Sequence, residues 1–73
     1  METSIKKQVA ERLKQSRIAA GLTQQAVAEK MGMPYQQYQK YENGIFELNY
    51  SQIVSLCTLF DISADFLLGM KEY

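Results

Sequence analysis

Four glycines and one proline are the only residues that break this chain: Gly21, Gly32, Pro34, Gly44 and Gly69. Each segment between them is too short for a long bundle and carries helical rather than alternating periodicity, so the fold must be several short helices sharing one core. At 73 residues a chain hides only about 60% of its unfolded surface, and such a core draws on nearly every element. The hydrophobic fraction of 47% is sufficient for that. No repeat, linker or low-complexity segment divides the sequence. One all-α domain over residues 1–73, with its core in roughly 5–69, is expected.

The segments read as five helices. Ile5, Val9 and Leu13, continued by Ser16 and Ala20, form a buried stripe on a first helix closed by Gly21. Thr23 suits an N-cap, with Leu22 and Val27 as a hydrophobic staple, and a second helix runs from Gln24 to about Met31. Gly32 supplies a left-handed turn. Pro34 then starts a third helix, where its fixed φ and missing donor are tolerated. Asn49 with Gln52 makes a capping box before a fourth helix, Tyr50 to Phe60, and Ser63 caps a short fifth, Ala64 to Leu68, ended by Gly69. The segment YSQIVSLCTLF has strand-forming residues as well, but eleven residues between two good helix signals favour helix.

The third helix has two distinct faces. At about 100° per residue from Tyr35, the residues Tyr38, Tyr41 and Glu42 cluster near 290°, whereas Gln36 and Lys40 lie near 110° on the opposite side. Gln37 and Gln39 flank that outer face, and Tyr35 projects from the first turn. Two short helices set at an angle by a glycine turn place the second in a DNA major groove. Gln36 can then pair its amide with adenine N6 and N7, Lys40 can meet guanine or a phosphate, and Tyr35 can pack on a thymine methyl or hydrogen-bond a phosphate. The concealed side of Tyr38 and Tyr41 is expected to be packing surface, not a base-stacking platform.

The net charge is zero, which weighs against a small DNA binder, but its distribution is uneven. Residues 1–30 hold six Lys and Arg against three acidic residues, and residues 31–73 hold two against five. The first half is therefore the one able to face phosphate.

The run ERLKQSRIAAGLTQQAVAEKMGMPYQQYQKYENG, with DISADFLLG near the end, resembles the lambda-repressor and Cro type of helix-turn-helix proteins, the xenobiotic-response-element type, over roughly residues 5–69. The combination of GLTQ, Ala28, Gly32 and YENG is specific to that family. The resemblance implies a five-helix DNA-binding domain that binds operators as a homodimer. It implies base reading by Tyr35, Gln36 and Lys40, a further groove position at Gln37, phosphate contacts from Gln24 and Asn43, and a buried ion pair between Arg17 and Glu42. No cofactor and no metal are implied.

The departures are informative too. The loop after YENG is usually basic and ends in proline, but here it is IFELNY, which removes phosphate contacts and is expected to weaken nonspecific binding. Ile45 and Phe46 either fold back over the core, the favoured reading, or form an apolar patch for a partner. Ser16 stands where the family usually buries a leucine, so the first helix is expected to pack less tightly. Pro34 occupies the usual Ser or Thr cap position. The fourth and fifth helices with FLLGMKEY are the expected self-contact surface.

Catalysis finds no support. Histidine is absent, Cys57 stands alone in an apolar run, and the glycines make no phosphate-binding loop. Cys57 reads as a small buried hydrophobe. METSIKKQ lacks the apolar stretch of a signal peptide and no window is long enough to span a bilayer, so a cytoplasmic protein is expected, with double-stranded DNA as partner and no membrane or small-molecule substrate. The function expected is a transcriptional repressor on a pseudo-palindromic operator. The alternative is a protein-interaction module of antitoxin or antirepressor type on the same fold. A third reading, a domain cut from a larger protein, is weakened by Met1 and the short tail.

Overall fold

A computed structural model describes residues 5–71. They form α1 (Ile5–Ala19), α2 (Gln24–Met31), α3 (Tyr35–Glu42), α4 (Tyr50–Phe60) and α5 (Ala64–Leu67), with no strand among the described residues. α2 packs on α3, α1 lies against α3 and α5, and α4 bridges α2 and α5. Each helix contributes one completely buried large side chain: Leu13, Val27, Tyr38, Leu56 and Leu67. Since no two helices could bury all five, removing any one helix opens the core.

The helix ends follow local chemistry. Gly21 is left-handed at φ 75°, and the amides of Gly21 and Leu22 donate to the carbonyls of Ile18 and Arg17, which satisfies the end of α1. The Thr23 hydroxyl accepts from the Ala26 amide at 3.0 Å and caps α2. Asn49 and Gln52 form the reciprocal capping box, each side chain accepting from the other's amide at 2.8 Å. Ser63 accepts from the Phe66 amide and caps α5.

Several expectations change in detail. α5 stops at Leu67, with Leu68 as its cap. In α1 the buried residues are Ala10, Leu13 and Ser16, while Ile5 and Ala20 are exposed. The stripe keeps its direction, but its two ends outrun the core, and Ala10 lies on the covered arc. Ser16 is buried and its hydroxyl donates to the Arg12 carbonyl at 2.8 Å. A cleft of about 310 Å³ lies beside it, lined by Ser16, Ala19, Phe60 and Phe66. A leucine would have occupied part of that space. Cys57 is half-buried against the core and not enclosed by it, and burial still pushes its thiol pKa up. Glu72 and Tyr73, which end the expected self-contact segment, lie outside the described residues.

Candidate nucleic-acid interface

The turn between α2 and α3 is three residues long. Gly32 takes φ 70° and ψ 34°, its amide and that of Met33 donate back to the end of α2, and Pro34 enters α3 at φ −63° with no side-chain cap. A β-carbon on Gly32 would meet nothing within 4 Å, so glycine is needed there for its backbone conformation and not for space.

One carboxylate fixes α3 to its neighbours. Glu42, with its side chain 1% exposed, accepts from Arg17 Nε at 2.7 Å and the Tyr38 hydroxyl at 2.6 Å through Oε2. Its Oε1 accepts from Gln24 Nε2 at 3.0 Å and Arg17 Nη2 at 3.3 Å. Arg17 Nη1 also donates to the Leu22 carbonyl, so one guanidinium ties α1, the turn before α2, and the end of α3. The hydrogen bond to Glu42 is the main cause that raises the Arg17 pKa. Burial first, and the bond to Glu42 second, push the Tyr38 hydroxyl far above ordinary tyrosine values. No buried side-chain nitrogen or oxygen lacks a partner among the described residues.

This network continues to the outer face. The Gln24 amide gives one of its two N–H donors to Glu42, and its oxygen accepts from the Tyr35 hydroxyl at 3.4 Å; that hydroxyl in turn accepts from Gln39 Nε2 at 3.1 Å. Gln24 and Tyr35 are therefore oriented from within. Gln36 and Lys40 are exposed, opposite the buried Tyr38, Tyr41 and Glu42. Gln37 is half-buried and donates to the Tyr41 hydroxyl at 3.3 Å, as Gln52 does at 3.0 Å. Asn43 caps α3 through its backbone and its side chain is exposed beside Lys7 and Lys14.

The loop after α3 partly folds back. The amides of Ile45 and Phe46 both donate to the Lys40 carbonyl, and the Phe46 ring stands edge-on to Tyr41 with centroids 5.7 Å apart. Phe46 nevertheless stays 41% exposed and Ile45 56%, so the loop covers the core without being buried in it. Residue reading missed two contacts of this site. Gln39 was detectable, since it stands four residues after Tyr35 on one helix face. Phe46 was expected to fold back toward the core, but its place beneath Lys40 was not detectable, because it depends on how the loop turns.

Two helices joined by a three-residue turn that opens on a left-handed glycine, the second helix clamped on one side and polar on the other, define the helix-turn-helix class. A helix-turn-helix family model matches residues 13–67, and the chain belongs to that family, in its lambda-repressor/Cro branch. Among its relatives in Bacillus subtilis strain 168, the SPbeta prophage-derived HTH-type transcriptional regulator YonR is 40% identical over 58 residues, 80% of this chain and 54% of that protein. The HTH-type transcriptional regulator YqaE is 38% identical over 58 residues, 80% of this chain and 50% of that protein. The HTH-type transcriptional regulator ImmR is 34% identical over 61 residues, 84% of this chain and 48% of that protein. The chain thus spans about half the length of the curated relatives it matches.

No helix among the described residues is long and apolar enough to cross a membrane. None of their Cys, Asp and Glu side chains cluster as a metal site would require.

Proposed function

We propose that this chain is a sequence-specific DNA-binding domain of a transcriptional regulator, acting as a repressor and lying with α3 in the major groove of a pseudo-palindromic operator. The observation that carries this reading is the division of α3: Tyr38, Tyr41 and Glu42 are locked inside, and Gln36 and Lys40 are held outward on a helix that cannot rotate without breaking the Glu42 network. The names of the relatives, all regulators of transcription, support it. In this reading Tyr35, Gln36, Gln37 and Lys40 meet base edges, and Gln24 and Asn43 meet phosphates.

A homodimer would present two copies of α3 about 34–36 Å apart, one turn of DNA. Its interface is proposed on α4 and α5, where Tyr50 is 89% and Val54 66% exposed. Selection from a random duplex library tests the whole reading: a two-fold symmetric site should be enriched, and Gln36→Ala should relax that selection at one base pair of each half-site. A folded protein that enriches no sequence at low salt refutes it. That result would favour the protein-interaction reading, for which the exposed Ile45 and Phe46 are the motive.

A further inference from the structure

Resting on the DNA-binding reading, we infer that Lys6 and Lys7, in the first turn of α1, are the phosphate-contacting cations of the loop that follows α3. The loop itself, Gly44 to Glu47, has no basic residue and one acidic one. The structure brings positive charge to it from the other end of the sequence. Lys6 Nζ donates to the Ile45 carbonyl at 3.3 Å, which places the ammonium beside the loop backbone. Lys7 packs on Gly44 so closely that its Cγ lies 3.2 Å from where a β-carbon on Gly44 would be. Gly44 is left-handed at φ 75°, so a side chain there would be strained by the backbone conformation and would have to push Lys7 back by a few tenths of an ångström.

The two lysines have capacity for DNA. An ammonium has three donors, and Lys6 uses one on Ile45, which leaves two for a phosphodiester oxygen. Neither lysine forms an ion pair among the described residues, where the pairs are Arg17 with Glu42 and Lys71 with Asp65. Among the described residues, Lys6 shares a cleft with Glu47, and Lys7 shares one with Glu11 and with Glu42, which Arg17 already pairs.

Other cations of the positive half are already committed. Arg17 is spent on Glu42. Arg12 lies over the Phe66 ring at 4.6 Å and donates to the carbonyls of Phe66 and Lys71, holding α1 to α5. The excess of charge in residues 1–30 is therefore available mainly through its lysines. Lys7 also shares a cleft with Lys14 and with the exposed Asn43, the residue proposed above to touch phosphate. The lysines thus extend that contact around the end of α3, and they carry no sequence information.

Phosphate contacts do not depend on sequence, so a short mixed-sequence duplex is a sufficient probe. The readout is the slope of log affinity against log salt for the wild type and for Lys6→Gln/Lys7→Gln, in which glutamine retains the carbons that pack on Gly44. The slope should fall in magnitude by about 1.8 in the double variant, at about 0.9 for each lost phosphate contact, and remain at the wild-type value in Lys6→Arg/Lys7→Arg. Each single glutamine variant should give about half of that fall, and the base preference selected from a library should not move. Lys71→Gln, which removes a lysine paired with Asp65 at the far end of the chain, should leave the slope unchanged. An unchanged slope in the double glutamine variant overturns the inference, as does an equal fall in Lys71→Gln, which would mark a general charge effect. A folded wild type that binds no duplex at low salt rejects the DNA reading itself, and this assignment with it.

Discussion

The Lys40 ammonium lies over the Phe46 ring, 5.3 Å from its centroid, so the lysine on the outer face of α3 is steadied by the loop that follows. The same ring meets Tyr41 edge-on, which connects an exposed cation to the core through two aromatic side chains. Exposed cation–π contacts contribute about 0.5–1 kcal/mol. A double-mutant cycle on thermal stability between Lys40→Ala and Phe46→Leu should therefore give a coupling of that size. Zero coupling would mean that the ammonium spends its time away from the ring. On DNA, Lys40→Ala should either relax preference at one base pair or lower the salt slope by about one contact. If neither changes, Lys40 does not face the groove.

Arg17→Leu should be far more costly than any exposed lysine change. It leaves Glu42 buried with only Tyr38 and Gln24 as donors, and breaking a buried pair by removing one partner costs about 3–5 kcal/mol. For a domain this small, each kcal/mol shifts Tm by roughly 4–8 °C, so calorimetry will resolve the loss easily. Lys30→Ala, on the exposed end of α2, is the comparison. Similar Tm values for the two variants would show that solvent reaches the pair.

Stability should fall on the alkaline side, and Tyr38 should be a main reason. Its folded-state pKa is raised above 10.0, chiefly by burial, so above that pH the unfolded chain loses a proton that the folded chain keeps. The tyrosine's contribution is complete below its unfolded pKa of about 10 and is lost as pH rises beyond it, at up to about 1.4 kcal/mol per pH unit. Cys57, raised by burial from 9.0, acts with the same sign and begins lower. Tyr38→Phe should lower stability at neutral pH by about 1.5–3 kcal/mol, for the lost bond to Glu42, and make the alkaline decline shallower. Tyrosinate absorbance by Tyr38 in the folded protein near pH 10 would contradict the assignment.

What was legible in the sequence was whatever depends on local chemistry. Thr23, Asn49 and Ser63 cap their helices because a side-chain oxygen reaches an amide three residues on, whatever the rest of the chain does. The two faces of α3 follow from helical geometry alone. Asp61 shows the limit: it ends α4 in the left-handed region at φ 56°, a position where no glycine signals the turn and which aspartate adopts more readily than most non-glycine residues. The site's remaining features come from tertiary placement. Phe46 against Lys40, and Lys6 and Lys7 against Gly44 and Ile45, join residues whose sequence separation carries no periodic or motif signal.

Gln36 and Gln37 are adjacent and chemically identical, yet their environments separate them. Gln36 is exposed, with no side-chain hydrogen bond among the described residues, so its amide can pair with a base edge without giving up a protein partner. Gln37 already gives one of its two amide N–H donors to the Tyr41 hydroxyl, which Gln52 also serves, and that bond has to be replaced if the amide is to turn squarely onto a base edge. A bidentate amide–adenine pair discriminates by about 1–3 kcal/mol, and the net gain shrinks when an existing hydrogen bond has to be replaced. Gln36→Ala should thus relax selection at one base pair by about tenfold or more, and Gln37→Ala by about threefold or less. Gln37→Ala should instead leave Tyr41 with its Gln52 bond and lower Tm only slightly. Competition binding on the selected operator and its single-base variants measures both. A larger loss of discrimination in Gln37→Ala would mean that α3 enters the groove rotated toward Gln37, with the Tyr41 bond broken on binding.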